Sequence, residues 1–228
     1  HGTNPASVIL GGFKTRQVKS DNRGRVDIED LKSKVDSEVA GMMLTQPNTL
    51  GLFEDNIEGI SSVIHGVGGL MYMDGANLNA LIGLVRPADM GFDITHINTH
   101  KTFSTPHGGG GPGSGPIGVI GRLVPYLPVP MVDKKEDGSF FWNSDYPDSI
   151  GRLHGYFGNF GVLVRAYIYI KMLGETGLRD MTKNAILNAN YLKNLLKGHY
   201  DVPYSDGIMH EFVISGDKQK KRGMKVLD

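Results

Sequence analysis

The sequence predicts an α/β fold: a mostly parallel sheet with helices on both faces. Three observations carry that reading. Short apolar runs recur at 39–44, 70–73, 93–97 and 116–120, each fit for a buried strand. Between the early runs, apolar residues recur three and four positions apart, the period of a helix with one buried face. Turn residues separate the two patterns, Pro47-Asn48 after the first run and Gly68-Gly69 before the second. Strands that alternate with helices in this way build βαβ units.

Each element has a local reason. Pro5 after Asn4 predicts a helix start, with Asn4 as cap and proline at the first position. A short strand is expected at 15–18. Asp27 caps a second helix that carries Ile28, Leu31 and Val35 on one face. A third helix is predicted over 54–65, where Ile57, Ile60 and Ile64 line one side and His65, at its end, complements the helix dipole. Beyond Gly151 the character changes. Long helices are expected at 159–173 and 178–197, then a strand at 210–214. The division that follows is 1–150 for a large domain and 151–228 for a connecting helix and the start of a smaller one.

Composition excludes several functions. Lysine and arginine number 24 against 24 aspartates and glutamates, so no basic excess exists to neutralise nucleic-acid phosphates. With no cysteine, thiolate metal sites, a thiol nucleophile and a disulfide framework are all ruled out, which fits a reducing compartment. The most apolar stretch, 161–173, is interrupted by Arg165 and Lys171 and falls short of the ~20 residues a membrane helix needs. The opening HGTNPAS has no initiator Met and no secretory-signal pattern, and DKQKKRGMKVLD stops without punctuation. Both ends read as cut, as in a piece of a longer protein.

In an open α/β sheet, ligands sit beyond the carboxyl ends of the strands. Here those ends hold Gln46, Asp74 and the His100-Lys101 pair. A lysine at a strand end, in a protein interior, is a candidate nucleophile, because desolvation favours its neutral amine; an ordinary surface lysine is the plain alternative. Asp74 before Gly75 suits a turn-capping carboxylate. Together, 27 positions apart and on adjacent strand ends, the two meet the main demands of pyridoxal phosphate (PLP): an amine to form the imine and a carboxylate to keep the pyridine nitrogen protonated. Gly113, Gly115 and Gly118 match the dinucleotide fingerprint by letter, but Pro112 and Pro116 interrupt them and a strand follows, so that reading is rejected. A phosphate-binding module built on 108–115 alone, or a flexible loop there, stays open. His96, His100 and His107 suggest a metal only weakly, because the first lies in a strand, and no metal site is assigned.

The segments MDGANLNA and DITHINTHKTFSTPHGGGGPGSGPIGV, with QPNTLGLFE, HGTNPAS and the later HEF, strongly resemble the P-protein of the glycine cleavage system, most closely subunit 2 of the two-subunit bacterial form. The resemblance runs over nearly the whole chain. It implies an aminotransferase-like (fold type I) PLP large domain followed by the start of a C-terminal small α/β domain. It also implies a cytoplasmic enzyme that releases CO2 from glycine and passes the aminomethyl group to the lipoyl arm of H-protein. Lys101 would form the PLP imine and Asp74 would pair with the pyridine nitrogen. Ala76 would pack on the ring, and His100 would meet the phosphate or the substrate. Gln46 falls where the wider fold reaches the cofactor's phenolic oxygen, but Asn is usual there, so its longer side chain departs from the pattern. Thr99 is a second departure, where Leu is expected. Subunit 1, or a missing N-terminal half, would supply the phosphate cup and the stacking ring, in a dimer or heterotetramer. Without that half, PLP binding by this piece is expected to be weak. Another PLP enzyme of the same fold, an aminotransferase or lyase, and a non-catalytic structural half are the alternatives.

Overall fold

A computed structural model describes residues 3–110, 113–153, 155 and 158–225. Helix α1 (Asn4–Leu10) leads to α2 (Ile28–Lys34), whose Asp27 cap accepts from the amides of Glu29 and Asp30 at 3.1 and 3.0 Å. Such a cap is worth about 1 kcal/mol. Next come β1 (Gly41–Thr45), α3 (Ile57–His65), β2 (Leu70–Gly75) and β3 (Ile94–Ile97). The one-turn helix α4 (Thr99–Thr102) follows directly, then β4 (Ile117–Val119). The sheet order is β1-β2-β3-β4, with the first three strands parallel and β4 antiparallel.

The core explains why the sheet is rigid where it matters. Ile57, Ile60 and Ile64 of α3 pack on Met71 and Met73 of β2, joined by Leu31, Leu78, Leu81, Met90 and Phe92. Each such side chain, fully buried, stabilises the fold by about 1.5–3 kcal/mol. The two carboxyl ends of β2 and β3 also lie unusually close. A Cβ at Gly75 would collide with the His96 carbonyl, so only glycine lets the backbones approach there.

Several elements differ from the sequence expectation. The first helix starts one residue early, with Thr3 as N-cap and Pro5 in its second position. No strand forms at 15–18; only an isolated bridge joins Ser20 to Val26. No strand forms at 210–214 either, and that segment is tied instead by bridges at Leu52–Ile208 and Asp201–Ser215. A hairpin, β5 (Met131–Lys134) with β6 (Phe140–Asn143), was not foreseen. Its signal was legible: Asp137-Gly138 between an apolar run and an aromatic one, with Gly138 at φ 85°. The two long helices are joined as α5 (Phe160–Leu196), broken at Gly174, where φ 61° and ψ −170° leave the helical region. Finally, α6 spans Asp217–Lys220. No helix among the described residues is long and apolar enough to cross a membrane.

Candidate active site

The site grows from the ends of three parallel strands. Thr45, Asp74 and His96 are neighbours in the ladder, Thr45 opposite Asp74 and Asp74 opposite His96. Asp74 is buried, and its Oδ1 accepts the Ala76 amide at 3.0 Å. The same oxygen lies 3.5 Å from His96 Nδ1, and Oδ2 lies 3.5 Å from the Thr45 hydroxyl. Burial by itself raises the Asp74 pKa, but hydrogen bonds from His96, the Ala76 amide and the Asn4 side chain outweigh it and hold the carboxyl below its usual range. Asp74 is therefore an anion at neutral pH.

Lys101 sits just past β3, on α4 rather than on the strand end itself, with its amide bonded to the Asn98 carbonyl at 3.1 Å. Its side chain is exposed. The interior position expected from the sequence is thus not supplied by the described residues, because one helical turn lifts Lys101 off the strand. Thr99, one of the departures from the family pattern, has a structural use. Its hydroxyl donates to the Ser114 carbonyl at 3.0 Å and accepts from Thr105 at 3.1 Å, tying the lysine turn to the glycine-rich segment. Gly111 and Pro112 of that segment lie outside the described residues.

His100 stands beside a hollow of about 270 Å³ lined by Asn98, His107, Gly110, Gly113, Ser114 and Gly115. Its ring meets that of His107 edge-on at 4.5 Å, and its buried Nδ1 has no hydrogen-bond partner. Burial lowers its pKa, and the neighbouring His107 and Lys101 add to the effect. A Cβ at Gly113 would sit 3.9 Å from that nitrogen, so glycine keeps the hollow open beside an orphaned polar atom. No group of three His, Cys, Asp or Glu residues that could hold a metal occurs among the described residues.

Gln46 is fully buried after β1, before the cis Gln46–Pro47 bond. Both ends of its amide are taken by one residue: Oε1 accepts the Glu54 amide at 3.0 Å and Nε2 donates to the Glu54 carbonyl at 3.3 Å. This pair fixes the orientation of the amide, and a contact from Gln46 to a cofactor's phenolic oxygen would have to use the second hydrogen of Nε2.

Sequence reasoning gave no site role to Asn77, Glu211 or His210. The Asn77 amide donates to the carbonyls of Pro47 and Asn48 at 3.0 and 3.1 Å and to Glu211 Oε1 at 3.1 Å, joining the ends of β1 and β2 to the segment near 210. A Cβ at Gly51 would strike the Glu211 carbonyl, so this segment seats on the loop after β1. His210 is buried with Nδ1 unpartnered. Burial lowers its pKa, Glu211 opposes this, and Lys101 lowers it further through its charge. The HEF tripeptide was the available signal, but its distance along the chain from Asn77 hid the contact.

The donor set fits PLP in part. An ionised carboxylate, an amine one strand away, a small buried residue at 76 and an orphaned imidazole beside an open hollow match the ring and its edge. Among the described residues, the helix that contributes to the lining of the hollow is the one-turn α4.

The class of protein is defined by fold. Solved structures that match are the inhibitor-bound glycine decarboxylase (P-protein) of the glycine cleavage system, at TM-score 0.74 and 22% identity, covering 92% of this chain and 49% of that one. A sphingosine-1-phosphate lyase from Burkholderia pseudomallei matches at TM-score 0.61 and 16% identity over 87% of this chain and 45% of that one. At these identities they establish the fold: the aminotransferase-like architecture of PLP enzymes, with a mostly parallel sheet. No family model matches the chain. Curated relatives are more specific. Over its whole length the chain is 57% identical to the probable glycine dehydrogenase (decarboxylating) subunit 2 of Chloroherpeton thalassium, covering 47% of it. It is 56% identical to the protein of the same name from Bacillus licheniformis, again over the whole chain and 47% of the relative. The resemblance to the P-protein's second subunit therefore holds from end to end, and the chain spans about half the length of the curated relatives it matches.

Proposed function

We propose that the complete protein is the decarboxylating subunit of a glycine cleavage system, using PLP to release CO2 from glycine and passing the aminomethyl group to lipoylated H-protein. The observation that carries this reading is the pairing of a buried, ionised Asp74 at the end of β2 with Lys101 on the turn that follows the neighbouring strand β3. Whole-length identity to proteins named glycine dehydrogenase (decarboxylating) subunit 2 supports the choice of glycine.

When bound, PLP supplies an electron sink for the pair left on the substrate's α-carbon. The residues of this chain have distinct tasks around it. Lys101 supplies the amine that attaches the cofactor. Asp74, negative at neutral pH, holds a proton at the ring nitrogen, which keeps the sink effective. Ala76, buried and small, would pack on the ring face. His100, whose Nδ1 has no hydrogen-bond partner beside the hollow, would meet the phosphate or the substrate. Gln46 keeps the loop after β1 in shape through Glu54. The partner named by the relatives' "subunit 2" would complete the phosphate cup in a dimer or heterotetramer, and the reading carries a cytoplasmic location with it.

The test is isotope exchange. The complete protein, with its partner subunit, PLP and lipoylated H-protein, should move label from bicarbonate into the glycine carboxyl. Exchange that is absent in the loaded complex, with another amino acid turned over in its place, would replace glycine decarboxylation by a different reaction of the same fold.

A further inference from the structure

Asp74 and His96 oppose each other across the β2–β3 ladder. His96 Nδ1 lies 3.5 Å from Asp74 Oδ1, and on the far side of the ring Nε2 lies 3.0 Å from the Asn98 amide nitrogen. An ionised carboxylate can only accept, so the nitrogen facing it must carry hydrogen. A neutral imidazole then offers a lone pair at Nε2, and the Asn98 NH2 is the donor that meets it. With the Asn98 NH2 toward the ring, as it stands, this proton arrangement satisfies both contacts. An imidazolium would set N–H against N–H there unless the amide turned its oxygen to the ring. The opposite tautomer would set lone pair against carboxylate.

The surroundings hold this geometry. Glycine at 75 lets β2 and β3 converge at the His96 carbonyl. Glycine at 115 borders the ring: a Cβ there would lie 3.5 and 3.6 Å from its Cδ2 and Nε2, at contact distance over the edge that meets Asn98. The Ala76 amide fixes the carboxylate from its own strand. Asn98 is also the residue whose carbonyl accepts the Lys101 amide, so the segment that orients His96 also starts the turn that carries the lysine.

We propose that Asn98 and His96 are positioning residues: Asn98 selects the Nδ1-protonated tautomer of His96, and His96 in turn fixes the orientation and the charge of the Asp74 carboxylate. The proposal deepens the function given above and rests on it for its consequence, since the carboxylate so held is the one assigned to the cofactor's ring nitrogen. The arrangement is of the kind in which an outer hydrogen bond on one ring nitrogen decides what the other presents.

Nuclear magnetic resonance of the complete protein, with 15N-histidine and 13C-aspartate and no cofactor, tests this directly. At neutral pH the His96 ring should carry its proton on Nδ1 with Nε2 bare. Asn98→Ala should give a mixture of tautomers. In His96→Ala the Asp74 carboxyl should bind its proton about tenfold more tightly, a rise of one pH unit in its midpoint, and His96→Gln, which keeps a donor, should recover part of that shift. A wild-type ring protonated on Nε2, or an Asp74 titration unmoved in a folded His96→Ala, would overturn the relay. Should His96→Ala fail to fold by circular dichroism, the tautomer in Asn98→Ala decides alone, and an unchanged ring there overturns the claim. None of these readings involves turnover, so a complete protein that failed to exchange bicarbonate would count against the proposed function and leave the relay standing.

Discussion

Two buried aspartates mark opposite ends of the same sheet, and their surroundings differ in kind. Asp93 lies just before β3. It accepts the Met71 amide and His65 Nε2 at 2.8 Å and Arg122 at 2.9 Å, contacts that join a neighbouring strand, the end of α3 and the segment after β4. Burial raises its pKa, and those three partners more than reverse the effect. Asp74, at the far end of β2, is held by the Ala76 amide of its own strand's turn, by the Thr45 hydroxyl, by Asn4 and by a histidine that also meets Asn98. Both carboxylates are ionised. One is a structural pin that binds three parts of the chain with short contacts. The other is held in orientation at the edge where a ligand of this fold sits. Burial and a depressed pKa alone do not separate the two; position on the sheet and the identity of the partners do.

Substitution should split the pair most widely. Asp74→Asn removes the charge assigned to the ring nitrogen with little change of shape, so exchange activity of the complete protein should drop by about 10²–10³-fold while stability falls by less than in a variant of Asp93. Asp93→Ala should do the reverse. It strips partners from a buried amide and an imidazole, costing about 2–3 kcal/mol of stability by denaturant unfolding, and it should leave the residual enzyme's dependence on PLP concentration intact. If the two variants showed the same pattern, the division of labour between the ends of the sheet would be lost.

Acid gives a graded version of the same contrast. Both folded-state pKa values are depressed, so each carboxylate contributes stability that is full above the unfolded value near 4 and is lost as pH falls through the folded one. Thermal midpoints should therefore decline below about pH 4, and Asp93→Asn should flatten that decline. A midpoint that rose on acidification would contradict the signs. The smallest effect belongs to the tie beneath the lysine. Thr99→Val removes the hydroxyl between Ser114 and Thr105 and should cost about 1 kcal/mol, measured by unfolding in urea. A neutral result would leave the Thr99 departure without a structural use.

Much of this contrast was legible before any coordinates. Asp74 and Lys101 stood out because a carboxylate and an amine at neighbouring strand ends form a recognisable chemical pair, and the helical period of Ile57, Ile60 and Ile64 marked the core that holds β2. The Asp27 cap was readable for the same reason: the signal is local. What stayed hidden was non-local. His65 read as a helix-end imidazole, and nothing near it in sequence announces Asp93. His96 read as a weak metal candidate because its partner, Asp74, lies on another strand. Asn77 and Glu211 meet only through the seating of a distant segment on Gly51. The strands expected at 15–18 and 210–214 had β-like composition, but no ladder forms at either, and isolated bridges only flank them. Lys101 was displaced from the interior by one helical turn that its short polar segment, Asn98 to Thr102, did not advertise.

The attachment point is the claim on which the rest turns, and it can be read chemically. The complete protein would be loaded with PLP, reduced with borohydride and digested, and the peptides carrying the pyridoxyl group would be identified by mass spectrometry. The account predicts the group on Lys101 alone. A fully loaded protein labelled at any other lysine, or at none, would contradict it.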